Sequence, residues 1–422
     1  MKQSFPLCLI FSISMLLSVA ASAQSVPVFR AQPTPWADSV IARMDLDAKI
    51  GQLFMVAAYS NRGPAHQKEL EELVEKYKIG GLIFFQGGPV RQAKMTNHLQ
   101  SLADIPLLIG MDAEWGLAMR LDSTLKFPRQ MVLGALSNDS LIYAMGAEIA
   151  RQGRRLGVHV NFAPVVHINN NPANPVIGSR SFGEDREMVT RKSAAYIRGM
   201  QDHQMLANAK HFPGHGDTDV DSHYALPRIK HSRERMESIE MYPYRYLIPQ
   251  GLGSIMVAHL SIPALDSTPG LPSTLSSKIV DELLTDQFGF EGLIFTDALN
   301  MKGVADYLAP GKVDLAALQA GNDVLLFAED VPVAARMIKE ALAEGTYSEE
   351  QLNRSVYKIL AAKEWTGAYR ATPIEIKNLI ADLNTPEGKF LNQKIAEGAS
   401  LCCKTRKTSS PSKSSTREKS PW

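Results

Sequence analysis

Eight short apolar runs punctuate the chain: "GQLFMVAAY" (51–59), "GGLIFF" (80–85), "PLLIGMDA" (106–113), "VHVNFAPVVHI" (158–168), "MLANAKHF" (205–212), "SIMVAHL" (254–260), "GLIFTDAL" (292–299) and "NDVLLFA" (322–328). Each is rich in Val, Ile, Leu or Phe and short enough to be a strand. Between them lie amphipathic stretches such as "HQKELEELVEKY", "DSLIYAMGAEIARQGRRLG", "REMVTRKSAAYIRGMQDH", "SSKIVDELLTDQFG" and "DLAALQAG", which read as helices. Strand and helix in alternation, repeated about eight times over roughly 300 residues, predict an α/β fold of the (β/α)8 TIM-barrel type. A doubly wound open sheet gives a similar alternation, but no Gly-rich dinucleotide turn follows the first strand, which favours closure.

A closed parallel barrel places its chemistry at the carboxyl ends of the strands. Asp112 ends "LLIGMD", His167 and Asn169 follow "FAPVV", Lys210 and His211 end "LANAKH", His259 ends "SIMVAH" and Asp297 ends "GLIFTD". Any one of these is most simply a polar residue solvated at a strand exit. Five strand ends carrying Asp, His or Lys together point to one site.

The segment "KHFPGHGDTDVDSHYALP" (210–227) adds more titratable groups in a short loop. His211, His215, Asp217, Asp221 and His223 are of ligand type for a divalent metal. Pro213, Gly214 and Gly216 make the loop irregular, however, and nothing in the local backbone aims His211 and His215 at one point. No metal or cofactor is therefore expected. Asp221 and His223 are one residue apart, so an extended loop puts both side chains on the same side. A carboxylate beside an imidazole fixes its tautomer and raises its proton affinity, as general acid/base work requires. Asp297 is a second chemical group, a carboxylate able to attack an electron-poor carbon.

Composition narrows the setting. The chain has 422 residues, 45% hydrophobic, with 45 Lys+Arg against 44 Asp+Glu, so it can bury a large core and has no charge bias toward nucleic acid or anionic membrane. "MKQSFPLCLIFSISMLLSVAASAQ" carries one charge at Lys2, an apolar stretch too short for a comfortable span, and small residues at Ala21 and Ala23. It reads as a cleaved signal over 1–23 without a stable membrane anchor, making the protein exported, to the periplasm. Cys402 and Cys403 are then the remaining cysteines, and sequence neighbours rarely bridge, so the fold is expected not to rely on disulfides.

"KHFPGHG" followed by Asp-x-His, with "GLIFTDALNM" downstream and "APVV" and "RSFG" upstream, resembles glycoside hydrolase family 3, and within it the β-N-acetylglucosaminidase (β-N-acetylhexosaminidase) branch. The resemblance covers about residues 35 to 370. It implies a (β/α)8 barrel that hydrolyses terminal, non-reducing β-linked N-acetylhexosamine with retention, with N-acetylglucosamine-containing glycans or muropeptides as its partners. By that resemblance Asp297 is the nucleophile and His223 the acid/base, assisted by Asp221. Asp112, Arg120, Arg180, Lys210 and His211 hold the sugar. A β-glucosidase of the same family is the nearest alternative, though such enzymes typically lack the Asp-x-His. From other classes, a metal-dependent amidohydrolase would lose activity on chelation and regain it with zinc, and a non-catalytic sugar-binding barrel would bind without turnover.

Two departures stand out. The family's "APVVD" reads "APVVH" here, with His167 in place of the aspartate. The expected barrel, 24–370, is followed by a helical linker, 371–403, of the kind that in larger relatives leads to a second domain, and then by a basic Ser/Lys/Pro-rich tail, 404–422, expected to be disordered. A solvated tail is the simplest reading of this change; a basic contact for an anionic polymer, and a reading-frame shift near residue 402 with loss of an original second domain, are the alternatives.

Overall fold

The computed structural model of the chain describes residues 26–222 and 224–408. The expected leader, His223 and residues 409–422 lie outside the described residues.

All eight apolar runs form strands: β1 (Phe54–Tyr59), β2 (Gly81–Gln86), β3 (Leu108–Met111), β4 (Val160–Asn161), β5 (Leu206–Phe212), β6 (Ser254–Val257), β7 (Leu293–Thr296) and β8 (Leu325–Leu326). They pair in the order β7-β6-β5-β4-β3-β2-β1-β8, and neighbouring strands are parallel. A further parallel bridge, Phe295 to Val324, joins β7 to the segment entering β8, so the sheet closes into the barrel that the alternation predicts. The helices 64–77, 140–155, 186–201, 278–287 and 312–319 coincide with the amphipathic stretches, and those at 89–102 and 331–344 complete the ring.

The barrel interior is filled rather than hollow. Phe162 and Phe295 meet edge-on at 5.2 Å inside it, both fully buried. Gly110 on β3 makes room for them, because a Cβ there would stand 2.8 Å from the Phe162 ring. β4 is much shorter than its apolar run. Pro164 has no N–H to give the ladder, and beyond it the chain is clamped from outside by Gln130, which accepts from the Val165 N–H at 3.0 Å and donates to the Val165 carbonyl at 2.7 Å. Residues 163–166 still bond to β5, with the Asn208 N–H on the Ala163 carbonyl at 3.0 Å and a bridge from Val165 to Lys210, and His167 follows them at the carboxyl end of the barrel.

The helix Glu349–Thr366 ties the strands together from the amino-terminal side. Buried Asp323 accepts from the Ile294 N–H (3.0 Å), Ser355 Oγ (2.7 Å) and Lys358 Nζ (3.0 Å), joining β7, the approach to β8 and this helix at one carboxylate. After it, Pro386–Thr408 lies along Ser140–Arg155 and buries Ile395 and Ala399. Its helical backbone runs past residue 403, into the segment expected to be tail.

Candidate active site

The carboxyl ends of the strands open on a cavity of about 510 Å³, lined by Asp112, Glu114, Arg120, Arg180, Lys210, His211, His215, Ser222 and Asp297, with Tyr59, Phe85, Trp115 and Phe327 as its apolar walls. Every sugar-binding candidate named from the sequence therefore faces the same space as Asp297. His259 does not: it is fully buried, with Nδ1 against Thr274 Oγ1 (2.7 Å) and Nε2 against the Ala298 carbonyl (3.0 Å). It supports the turn that carries Asp297. Asn169 also stays outside the lining; its N–H is held by the Gly183 carbonyl at 2.9 Å.

The floor is a chain of ion pairs. Lys210 Nζ lies 2.7 Å from Asp112 and 3.0 Å from Glu114. Arg120 bonds the other Asp112 oxygen while its guanidinium lies 3.6 Å over the Phe85 ring. Arg180 grips Glu114 with two bonds, Nη2 to Oε1 at 2.7 Å and Nε to Oε2 at 3.0 Å, the forked geometry that makes arginine–carboxylate pairs strong and directional. Burial by itself would raise both acids, but Lys210 and Arg120 hold Asp112 far below the usual carboxylate range, and Arg180 and Lys210 lower Glu114. Arg180 feels burial in the opposite sense and is kept protonated by Glu114, Asp112 and Asp297. The site thus presents fixed charges, at rigid strand ends, to whatever enters.

Glu114 was not among the residues singled out from the sequence. Its signal was present in "GMDAEWGLAMR": a second acid two residues past Asp112, leaving β3 on the same side.

Asp297 follows β7 directly, its N–H bonded to the Val257 carbonyl at 2.9 Å and its Oδ1 accepting from the Ala298 N–H at 2.8 Å. The loop after β5 folds back over it. Asn174 pins this loop, its side-chain amide donating to the carbonyls of His215 (2.8 Å) and Gly216 (3.1 Å), and Asp217 is fixed by His231 at 2.8 Å. Asp221 closes a turn, its carbonyl accepting from the N–H groups of Tyr224 and Ala225. Ser222, the neighbour of His223, lines the cavity with Asp297.

Local backbone gave no reason for His211 and His215 to converge, yet both close on His167, which follows β4 and has a ring nitrogen within 3.0 Å of the backbone N of each. Ring centroids are 5.3 Å apart for His167 and His211, and 6.2 Å for His215 to each of the others. All three rings are buried. Among the described residues no group of three or more His, Cys, Asp or Glu side chains is arranged to hold a metal ion.

Burial depresses the three histidines, with Arg180 acting the same way on each and Lys210 on His167 and His211; His215 falls to about 4 even though Asp297 and Asp221 pull it upward. Below pH 6.5 the unfolded chain takes up protons at these positions and the folded chain does not, so stability falls as pH drops through the window from 6.5 toward 4. The depressed carboxylates act in the same direction only below their ordinary range, near pH 4. Thermal denaturation between pH 7.5 and 5 is expected to show a falling midpoint, with a slope of at most about 1.4 kcal/mol per pH unit per histidine. His215→Gln should remove the His215 share and make the slope shallower; an unchanged slope would show that His215 does not contribute to it.

Against known proteins, residues 45–362 match the model of the glycosyl hydrolase family 3 N-terminal domain. A β-hexosaminidase A from Pseudoalteromonas piscicida is 35% identical over 331 residues, 70% of this chain and 55% of the relative. A β-N-acetylglucosaminidase/β-glucosidase from Cellulomonas fimi is 28% identical, covering 86% of this chain and 65% of its own. The chain thus spans between about half and two thirds of the length of these relatives. Among solved structures, a family 3 β-N-acetylglucosaminidase from Paenibacillus sp. str. FPU-7 superposes with a TM-score of 0.78 at 36% identity, over 84% of this chain and 69% of that one.

Proposed function

Because the chain belongs to glycosyl hydrolase family 3, we propose that it is a retaining hydrolase removing terminal, non-reducing β-linked N-acetylglucosamine from glycans or muropeptides. The observation that carries this reading is the placement of Asp297 in one cavity with the fixed charges of Asp112, Arg120, Arg180, Lys210 and His211, under a loop whose Ser222 shares that cavity.

In this reading the charged floor orients the pyranose by hydrogen bonds to its hydroxyls and so sets C1 against the Asp297 carboxylate. Asp297 forms a bond to C1 as the bond to the glycosidic oxygen breaks, and that oxygen receives its proton from His223, whose imidazolium is supported by Asp221. Water then gives a proton to His223, attacks C1, and releases Asp297 with retained configuration. The usual acid in such chemistry is a carboxylic acid, and an imidazole in its place makes the leaving group's basicity decisive.

That gives a test. His223→Ala is expected to lose most activity on a poorly leaving alkyl or sugar aglycone and much less on aryl N-acetylglucosaminides with acidic phenols, which need little protonation. An equal loss across the series would remove His223 from the acid role.

The Cellulomonas relative, named for both activities, is the reason to run aryl β-glucoside beside aryl β-N-acetylglucosaminide; the proposal expects faster turnover of the second. Export follows from the leader-like 1–23, and no described helix is long and apolar enough to cross a membrane.

A further inference from the structure

His167 does not line the cavity; it stands behind His211 and His215, which do. It is buried, and three hydrogen-bonding groups converge on its ring. The His211 backbone N–H points at Nε2 from 2.9 Å, Nδ1 of His211 lies 3.0 Å from the same Nε2, and the His215 backbone N–H points at Nδ1 from 3.0 Å. The rings of His167 and His211 are nearly coplanar, 8° apart, as an in-plane N–H···N bond requires.

Burial, with His215, Arg180 and Lys210 nearby, keeps His167 neutral, and a neutral imidazole has one N–H and one lone pair. If the proton sits on Nδ1, it faces the His215 amide hydrogen, and the lone pair on Nε2 is left to serve the His211 side alone. With the proton on Nε2, each ring nitrogen has a partner of its own: Nδ1 accepts from the His215 amide and Nε2–H donates to Nδ1 of His211. Each arrangement sets one backbone N–H against a ring N–H, that of His215 in the first and that of His211 in the second; the second is favoured because its two bonds use separate ring nitrogens, whereas in the first the His211 amide and side chain share one lone pair.

We propose that His167 is a positioning residue: its Nε2–H, donated to Nδ1 of His211, fixes His211 in the tautomer that presents an Nε2–H donor to the cavity, while its Nδ1 anchors the His215 end of the loop. The imidazole thereby links the strand end at 211 to the loop at 215 through one ring. For its consequence in turnover the inference rests on the proposed glycosidase reading; for the proton positions it does not.

Two experiments test it. Neutron diffraction from crystals of the full chain at neutral pH should place a deuteron on Nε2 of both His167 and His211 and none on either Nδ1. A deuteron on Nδ1 of His167 or of His211 overturns the proposal. The second compares His167→Gln, whose amide reaches the position of Nε2 and can donate to His211, with His167→Asn, whose amide reaches only the position of Nδ1 and can accept from the His215 N–H. The Gln variant is expected to keep kcat/KM within about threefold of the parent. The Asn variant should keep its thermal midpoint but lose roughly three- to tenfold in kcat/KM, chiefly through KM, the size of one hydrogen bond to a sugar hydroxyl. Equal KM values for Gln and Asn variants of equal stability would overturn it. Absence of turnover in every protein, the parent included, would sink the glycosidase reading and leave the deuteron positions to decide this one.

Discussion

Asp297→Ala is expected to lower turnover of an aryl β-N-acetylglucosaminide by at least about 10³-fold, since loss of a covalent nucleophile removes the pathway rather than weakening it. The substitution should be structurally mild. The backbone of residue 297 keeps its bond to the Val257 carbonyl, and β7 is held from below by Asp323. The thermal midpoint is therefore expected to stay near that of the parent while activity disappears. Stopped assays with the purified variant, beside a denaturation curve, check both halves. Turnover equal to the parent's would remove Asp297 from the nucleophile role.

Glu114→Ala carries the largest expected effect on stability. Its carboxylate is the shared partner of Lys210 and the doubly bonded Arg180, and its side chain is almost wholly buried. Deleting it leaves two cations in a desolvated floor with Asp112 as the nearby acid, and breaking a buried pair from one side costs about 3–5 kcal/mol. Substrate affinity should fall as well, because Arg180 loses the fork that orients it. Glu114→Gln, which keeps the shape and one acceptor, is expected to fall between the parent and the Ala variant. Chemical denaturation and KM, measured on all three, test this; an Ala variant as stable as the parent would show that the floor's charges are compensated from elsewhere.

Most of the barrel could be read from the chain because a strand buried on both faces needs a continuous apolar run, and each of the eight strands has one. What could not be read was where pairing stops. The run at 158–168 looks like one strand, but its regular ladder covers Val160–Asn161, is interrupted around Pro164 and resumes as a single bridge from Val165 to Lys210, and the Gln130 side chain that holds Val165 from 35 residues away leaves no local trace. The same limit applies to the helix Glu349–Thr366, whose buried Lys358 and Lys363 are held by Asp323 and by Gln52, the latter across 311 residues.

The site divides similarly. Asp112, Lys210, His211 and Asp297 were legible because they terminate apolar runs, and barrel geometry makes those termini neighbours. Glu114 follows such a terminus yet was passed over, since its role depends on a fork from Arg180 across 66 residues. The convergence of His167, His211 and His215 was invisible to local reasoning for the same cause: the hub follows β4, and the spokes are the end of β5 and the loop after it.

The most direct test is to trap the sugar on the protein. A fluorinated N-acetylglucosaminyl donor, which forms the glycosyl-enzyme faster than water can release it, should add one sugar mass, and tandem mass spectrometry of the digest should place it on the carboxylate of Asp297. An adduct on any other residue, or donor turnover with inverted product and no adduct, would contradict the account.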